Sequence, residues 1–88
     1  MTRYIVSDSV TLTSTACSTL REARRVAQRL LADHGEHYGE AGPTIFPIEL
    51  YLHNIEVNHD LTPTIGLPCE GDVIEMTSAG EVTGRYIG

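Results

Sequence analysis

Thr19-Leu20-Arg21-Glu22-Ala23-Arg24-Arg25-Val26-Ala27-Gln28-Arg29-Leu30-Leu31-Ala32-Asp33-His34-Gly35 is the stretch that decides the fold. Leu20, Ala23, Ala27, Leu30 and Leu31 recur at spacings of three and four, with Val26 beside them, and so line one side of a helix. Arg21, Arg24, Arg25, Gln28 and Arg29 fall on the other side. Thr19 and Glu22 have capping-box spacing: the hydroxyl can accept from the N–H three residues on, while the carboxylate reaches back. Gly35 offers a left-handed stop after His34. The small alanines predict a helix lying close against a sheet.

The sequence on either side of the helix reads as strands. Tyr4-Ile5-Val6 is β-branched and aromatic, and Ser7-Asp8-Ser9 is a turn cluster. Val10, Leu12, Ser14 and Ala16 then alternate with Thr11, Thr13 and Thr15, which predicts a second strand of an N-terminal hairpin with its threonines in solvent. His34 to Thr44 is rich in glycine and polar residues and reads as a loop. Ile45 to Leu52 gives the strongest strand signal, with Phe46, Ile48, Leu50 and Leu52 expected on the buried face. Pro47 argues for an edge or a bulge there. Ile55-Glu56-Val57 reads as a continuation or a short separate strand, and Asn58 to Gly71 as a loop. Asp72 to Thr77 and Glu81 to Ile87 flank Ser78-Ala79-Gly80, a hairpin signal. The expected architecture is α+β, a single compact domain over 1–88, with one amphipathic helix packed on a mostly antiparallel sheet of about four to five strands. The expected core joins Leu20, Ala23, Ala27, Leu30, Phe46, Ile48, Leu50 and Ile74.

Composition narrows the function classes. The formal net charge is −6, and six basic residues face twelve acidic ones. All six are arginine, which excludes Schiff-base and P-loop lysine chemistry. Cys17 and Cys69 lie far apart with no metal-binding spacing, and each reads as a small buried hydrophobe. His34, His37, His53 and His59 form no recognisable ligand set, because Gly35 separates the first two and the others fall at a strand end and in a loop. No metal or cofactor is expected. Carboxylate pairs such as Asp72 with Glu75, or Glu49 with Glu56, lack the cleft that acid–base catalysis needs, and no nucleophile elbow is present. The chain reads as a non-enzyme. It shows no secretory leader and no run of membrane-spanning length, so a cytoplasmic protein is expected. A chain this short buries only about 60–65 % of its unfolded surface, so a homodimer would add to its stability.

Charge distribution carries the functional reading. From Gly35 to Gly84 there are nine carboxylates and not one lysine or arginine. A one-signed surface repels itself, and natural surfaces usually mix both signs. Such a surface suits a basic partner, because fixed carboxylates accept paired bonds from arginine and attract lysine-rich grooves. The candidate partner-binding residues are Glu36, Glu40, Glu49, Tyr51, Glu56, Asp60, Glu70, Asp72 and Glu75, with Tyr38 and Tyr51 as rigid anchors. The four helix arginines could touch phosphates, but the net charge opposes direct nucleic-acid binding. Acidity that serves only solubility is the plain alternative, with the helix arginines neutralising nearby acids.

The opening RYIVSDSVTLTSTACSTLREARRVAQRLL, a short strand leading into an alanine-rich helix, resembles small acidic anti-CRISPR proteins of phages and mobile elements. The resemblance covers the first third of the chain together with overall size and charge, and carries over no individual residue. It implies a non-enzymatic inhibitor that docks on a Cas subunit of a type I interference complex, with a lean toward type I-C. Blocked DNA binding or blocked nuclease recruitment would be the outcome. The rival expectation is an antitoxin-like or structural accessory module.

Overall fold

The computed structural model describes residues 1–39, 42–52 and 70–87. Five strands and one long helix follow in the order β1 (Tyr4–Asp8), β2 (Thr13–Cys17), α1 (Leu20–Tyr38), β3 (Thr44–Pro47), β4 (Glu70–Thr77) and β5 (Gly80–Ile87). The strands form one sheet in the order β2-β1-β3-β4-β5, every neighbouring pair antiparallel. This is the α+β architecture that the sequence pattern predicts. β1 and β2 form the N-terminal hairpin, and β4 and β5 form the hairpin around Ser78-Ala79.

The helix start follows its sequence signals. Thr19 accepts from the Glu22 N–H at 3.1 Å, and the Glu22 carboxylate accepts from the Ser18 N–H at 3.1 Å, one residue earlier than the usual capping box. Ala23 and Ala27 are completely buried, and they pack with Val6, Cys17, Ile45 and Met76 in one cluster flanked by Tyr4, Leu20, Val26, Leu30, Leu31 and Ile74. Two alanines at the contact let the helix axis approach the sheet closely, which larger side chains would prevent.

The helix does not stop at Gly35. It kinks at His34 (φ −130°, ψ 15°) and continues to Tyr38, where Gly39 ends it with φ 63°. The extra turn has a tertiary cause. Tyr38 is buried, and its hydroxyl donates to Asp8 Oδ1 at 2.5 Å. Asp8 is itself only 3 % exposed. Its carboxylate also accepts from the N–H groups of Val10 and Thr11 at 3.1 and 3.2 Å and from the Thr11 hydroxyl. That set of bonds builds a turn over residues 9–12, so β1 runs through Asp8 and β2 starts only at Thr13. The expected strand phase is therefore reversed. Thr15 and Cys17 face α1, Ser14 and Ala16 face away, and Leu12 stands 87 % exposed in the turn with φ 57°.

The second correction falls at β3. Ile45, expected in solvent, is 1 % exposed and faces α1, while Phe46 faces the other side of the sheet. The strand ends at Pro47, and residues 48–52 are helical. β3 is a central strand, but its pairing with β4 covers only Thr44 and Ile45, so the missing Pro47 N–H leaves no gap in that ladder. The helical stretch lies against the sheet face away from α1. Tyr51 packs on Phe46 with ring centroids 6.1 Å apart, and its hydroxyl lies 2.7 Å from Ser14 Oγ. Leu50 is 1 % exposed, whereas Leu52 is 56 % exposed. The predicted single core is thus two apolar layers, one on each face of the sheet. Ile55-Glu56-Val57 and the loop after it lie outside the described residues. Close approach of backbones shows at Gly42, where a Cβ would stand 1.6 Å from the Met76 carbonyl oxygen; the neighbouring Pro43 carbonyl accepts from the Met76 N–H at 2.9 Å.

Leu50→Ala is expected to cost about 2–5 kcal/mol in denaturant unfolding, as truncation of a fully buried leucine does. A second prediction concerns Asp8. Burial raises its pKa, but the bonds from Thr11, Tyr38 and the Val10 and Thr11 backbone outweigh burial and hold it below its ordinary 3.8. A depressed carboxylate contributes stability that is present above the unfolded value and lost as pH falls through the folded value. Tyr38→Phe should therefore cost about 1–3 kcal/mol at neutral pH. The gap from wild type should close as pH falls below 3.8 in a pH series of urea titrations.

Candidate functional site

Strand parity decides where the β4 carboxylates go. Ile74 and Met76 face α1, so Asp72 shares the α1 face and Glu75 projects from the opposite one. Asp72 is exposed and lies 3.7 Å from Arg85, its cross-strand neighbour. Glu75 is half-buried, on the same sheet face that carries the 48–52 segment. Glu49 stands exposed on that segment. Helical rather than extended backbone turns Glu49 and Tyr51 roughly 200° apart, so they do not share a face as alternation predicted. Tyr51 is half-buried and held by Ser14, which makes it a fastener of the segment. Glu36 is exposed on the last turn of α1, 3.6 Å from His37. Tyr38, expected as a surface anchor, is inside the fold. Glu70 belongs to β4, with its side chain outside the described set. Glu40, Glu56 and Asp60 lie outside the described residues.

The described candidates thus occupy three places: Asp72 on the α1 face, Glu75 and Glu49 on the other side, and Glu36 at the helix end. Two arginine pairs run between elements or strands. Arg24 on α1 donates to Glu81 on β5 at 2.7 Å, and Arg85 meets Asp72. Both pairs are partly exposed and contribute under about 1 kcal/mol each. Among the described residues, Glu49 and Glu75 make no ion pair. Arg21, Arg25 and Arg29 are exposed along the outer side of α1.

Several clefts open on the surface of the described residues. One of about 300 Å³ opens beside the start of α1, walled by Tyr4, Leu20, Ile45, Pro47, Ile74 and Thr83 with Asp72 at its rim. Asp72 is the carboxylate of that lining, and Tyr4 and Thr83 bring hydroxyl groups to it. Cys17 is buried in the main cluster, and burial, followed by the nearby Glu22 charge, pushes its pKa up, so it stays a thiol. Cys69, His53 and His59 lie outside the described residues. Among the described residues, no three His, Cys, Asp or Glu side chains gather as a metal set, and no helix is long and apolar enough to cross a membrane.

Comparison with protein families, with characterised proteins and with solved structures returns no match. Local sequence does not reveal the structural roles of Asp8, Tyr38 and Glu81. Asp8 sat in an ordinary turn cluster, and nothing local marks the partner of a residue 30 positions away. The Arg24–Glu81 pair spans 57 positions and was equally hidden.

Chelator is expected to leave the thermal midpoint of the chain, purified without chelator, unchanged. A fall of several degrees in a melting curve with added chelator would reinstate a metal site.

Proposed function

We propose that the chain is a non-enzymatic inhibitor that binds a basic, nucleic-acid-binding protein through its carboxylate-bearing surface. One observation carries this reading: nine carboxylates between Gly35 and Gly84 have no lysine or arginine among them. Exposed Glu36 and Glu49 lack an arginine partner among the described residues, so their charge is available to a partner. A rigid fold presents them without the ordering cost that a flexible acidic tail would incur on binding. The partner of best fit is a Cas subunit of a type I interference complex, with type I-C first among them. That choice rests on the resemblance of the first third of the chain to small acidic anti-CRISPR proteins. Docking there would block target-DNA binding or recruitment of the nuclease.

The second reading is an antitoxin-like or structural accessory module whose acidity serves solubility. It is favoured by the Arg24–Glu81 and Arg85–Asp72 pairs, in which the fold satisfies part of its own charge.

The deciding experiment is binding of purified type I Cas subunits to charge-reversed variants. Glu49→Lys with Glu75→Lys should weaken the complex and reduce its salt dependence, since opposite charges steer the encounter and are screened over about 8–10 Å. Arg21→Glu with Arg25→Glu should change binding less. Both variants should keep thermal stability within about 0.5 kcal/mol of wild type. If the arginine variant loses the partner and the carboxylate variant keeps it, the outer side of α1 is the contact surface. Absence of binding to any Cas subunit would favour the accessory-module reading.

A further inference from the structure

The cleft of about 300 Å³ beside the first turn of α1 lies on the α1 face of the sheet. Its position follows from the ladder. Ile45, Ile74 and Thr83 are direct neighbours across β3, β4 and β5, and form one row of the lining. The pairing of β3 with β4 stops at Ile45–Ile74. Two residues further along each strand stand Pro47, still paired with Tyr4 of β1, and Asp72. Both belong to the lining, so the cleft sits where the ladder ends. α1 packs against β1 to β4 and contributes Leu20 to the wall. The chemistry of this lining is uneven. Leu20, Ile45, Pro47 and Ile74 are apolar, Tyr4 adds a ring and a hydroxyl, and Thr83 adds a hydroxyl. Among the described residues that line the cleft, Asp72 is the one charged side chain.

We propose that this cleft receives one arginine side chain of the basic partner, an inference that rests on the function proposed above. An apolar trough with a carboxylate at its rim is complementary to a long aliphatic stem that ends in a cation. The volume is at the lower end of the ~300–1,000 Å³ usual for ligand pockets, which suits a single side chain. Arginine fits better than lysine. Its planar fork can bond a carboxylate and lie against an aromatic ring such as that of Tyr4, whereas an ammonium is compact and strongly hydrated. Asp72 can take the new bond. Its contact with Arg85, at 3.7 Å, is longer than a hydrogen bond, and a carboxylate has about four lone-pair sites. A further donor can therefore join it without displacing Arg85. An adjoining cleft of about 390 Å³ shares Tyr4 and Pro47 as lining and adds Arg3 and Glu49. Its two charges offset each other, so it does not select a cation as the Asp72 cleft does. It does bring Glu49 next to the shared Tyr4 and Pro47 wall. A partner held at Glu49 thus reaches the Asp72 cleft around the end of the sheet. One arginine seated in a pocket and ringed by weaker contacts is the usual way in which a few residues dominate an interface.

The probe is N-acetyl-arginine amide, titrated into the isotope-labelled full chain and followed by NMR. Shifts should saturate at Tyr4, Leu20, Ile74 and Thr83. N-acetyl-citrulline amide has the same shape without the charge and should bind about tenfold more weakly, as loss of a bond to a charged group does. Asp72→Asn should weaken the arginine probe by a similar factor. Thr83→Phe, which fills the cleft from β5, should abolish its binding. Shifts that never saturate overturn the proposal, as does an equal response to the citrulline probe. So does an Asp72→Asn chain that keeps its circular-dichroism spectrum and binds the arginine probe as wild type does. The citrulline comparison uses the unaltered chain, so it decides the matter even where a variant fails to fold. A Cas subunit that binds Thr83→Phe as tightly as wild type overturns the cleft as a contact and leaves the acidic surface standing. If no Cas subunit binds, the function proposed above falls, and the titration by itself decides the cleft.

Discussion

A buried carboxylate organises this fold. Asp8 sits 3 % exposed at the end of β1, where an ionised group would be costly without internal donors. Those donors come from two places. The turn after β1 supplies the Val10 and Thr11 N–H groups and the Thr11 hydroxyl, and the last turn of α1 supplies the Tyr38 hydroxyl. Satisfying Asp8 therefore fixes where β1 ends, where β2 can begin and how far the helix runs. The kink at His34 lets the final turn of α1 reach the sheet while its first turns lie over Val6 and Ile45. β1 pairs with both β2 and β3, so a strand held at this point keeps the register of the whole N-terminal half. Burial and the bond to Asp8 also raise the Tyr38 pKa far above its ordinary value, so the donor keeps its proton.

The sheet is apolar on both faces, and each face has its own cover. α1 takes one, through alanines that permit close approach. The helical stretch at 48–52 takes part of the other, pinned by the Tyr51 contacts to Phe46 and Ser14. Pro47 makes the second cover possible. It ends β3 just past the last residue paired with β4, and its fixed φ suits the entry to a helix. The 48–52 backbone then carries Glu49 outward and Leu50 inward.

Charge is distributed by the same geometry. Strand alternation divides Asp72 from Glu75, and the helix-to-β5 contact takes up Glu81 with Arg24. Of the candidate binding acids, Glu36, Glu49 and Glu75 keep no arginine among the described residues, and they lie at the helix end and on the face away from α1. A partner with basic groups would approach there, not across the arginine-bearing side of α1. This asymmetry of the fold supports the proposed binding mode better than a uniform acidic shell would.

The sequence by itself determined the amphipathic helix, its N-terminal cap, both hairpins and the α+β class. Each of these rests on local periodicity or on turn chemistry within a few residues. The alanine positions at Ala23 and Ala27 were legible for the same reason, because helical spacing alone places them on one stripe. Tertiary structure decided what local signals leave degenerate. A run such as Ile45–Leu52 is apolar at nearly every position, so alternation cannot tell which face is inside. The choice fell to the register against Val6 and Ile74 and to the break at Pro47. The phase of β2 depended on a carboxylate eight residues into the chain finding a tyrosine thirty positions later. The candidate acids were legible as a list, since charge is read directly from composition. Their division between two faces was not, because it follows from strand parity and a strand-to-helix change that only the folded chain fixes.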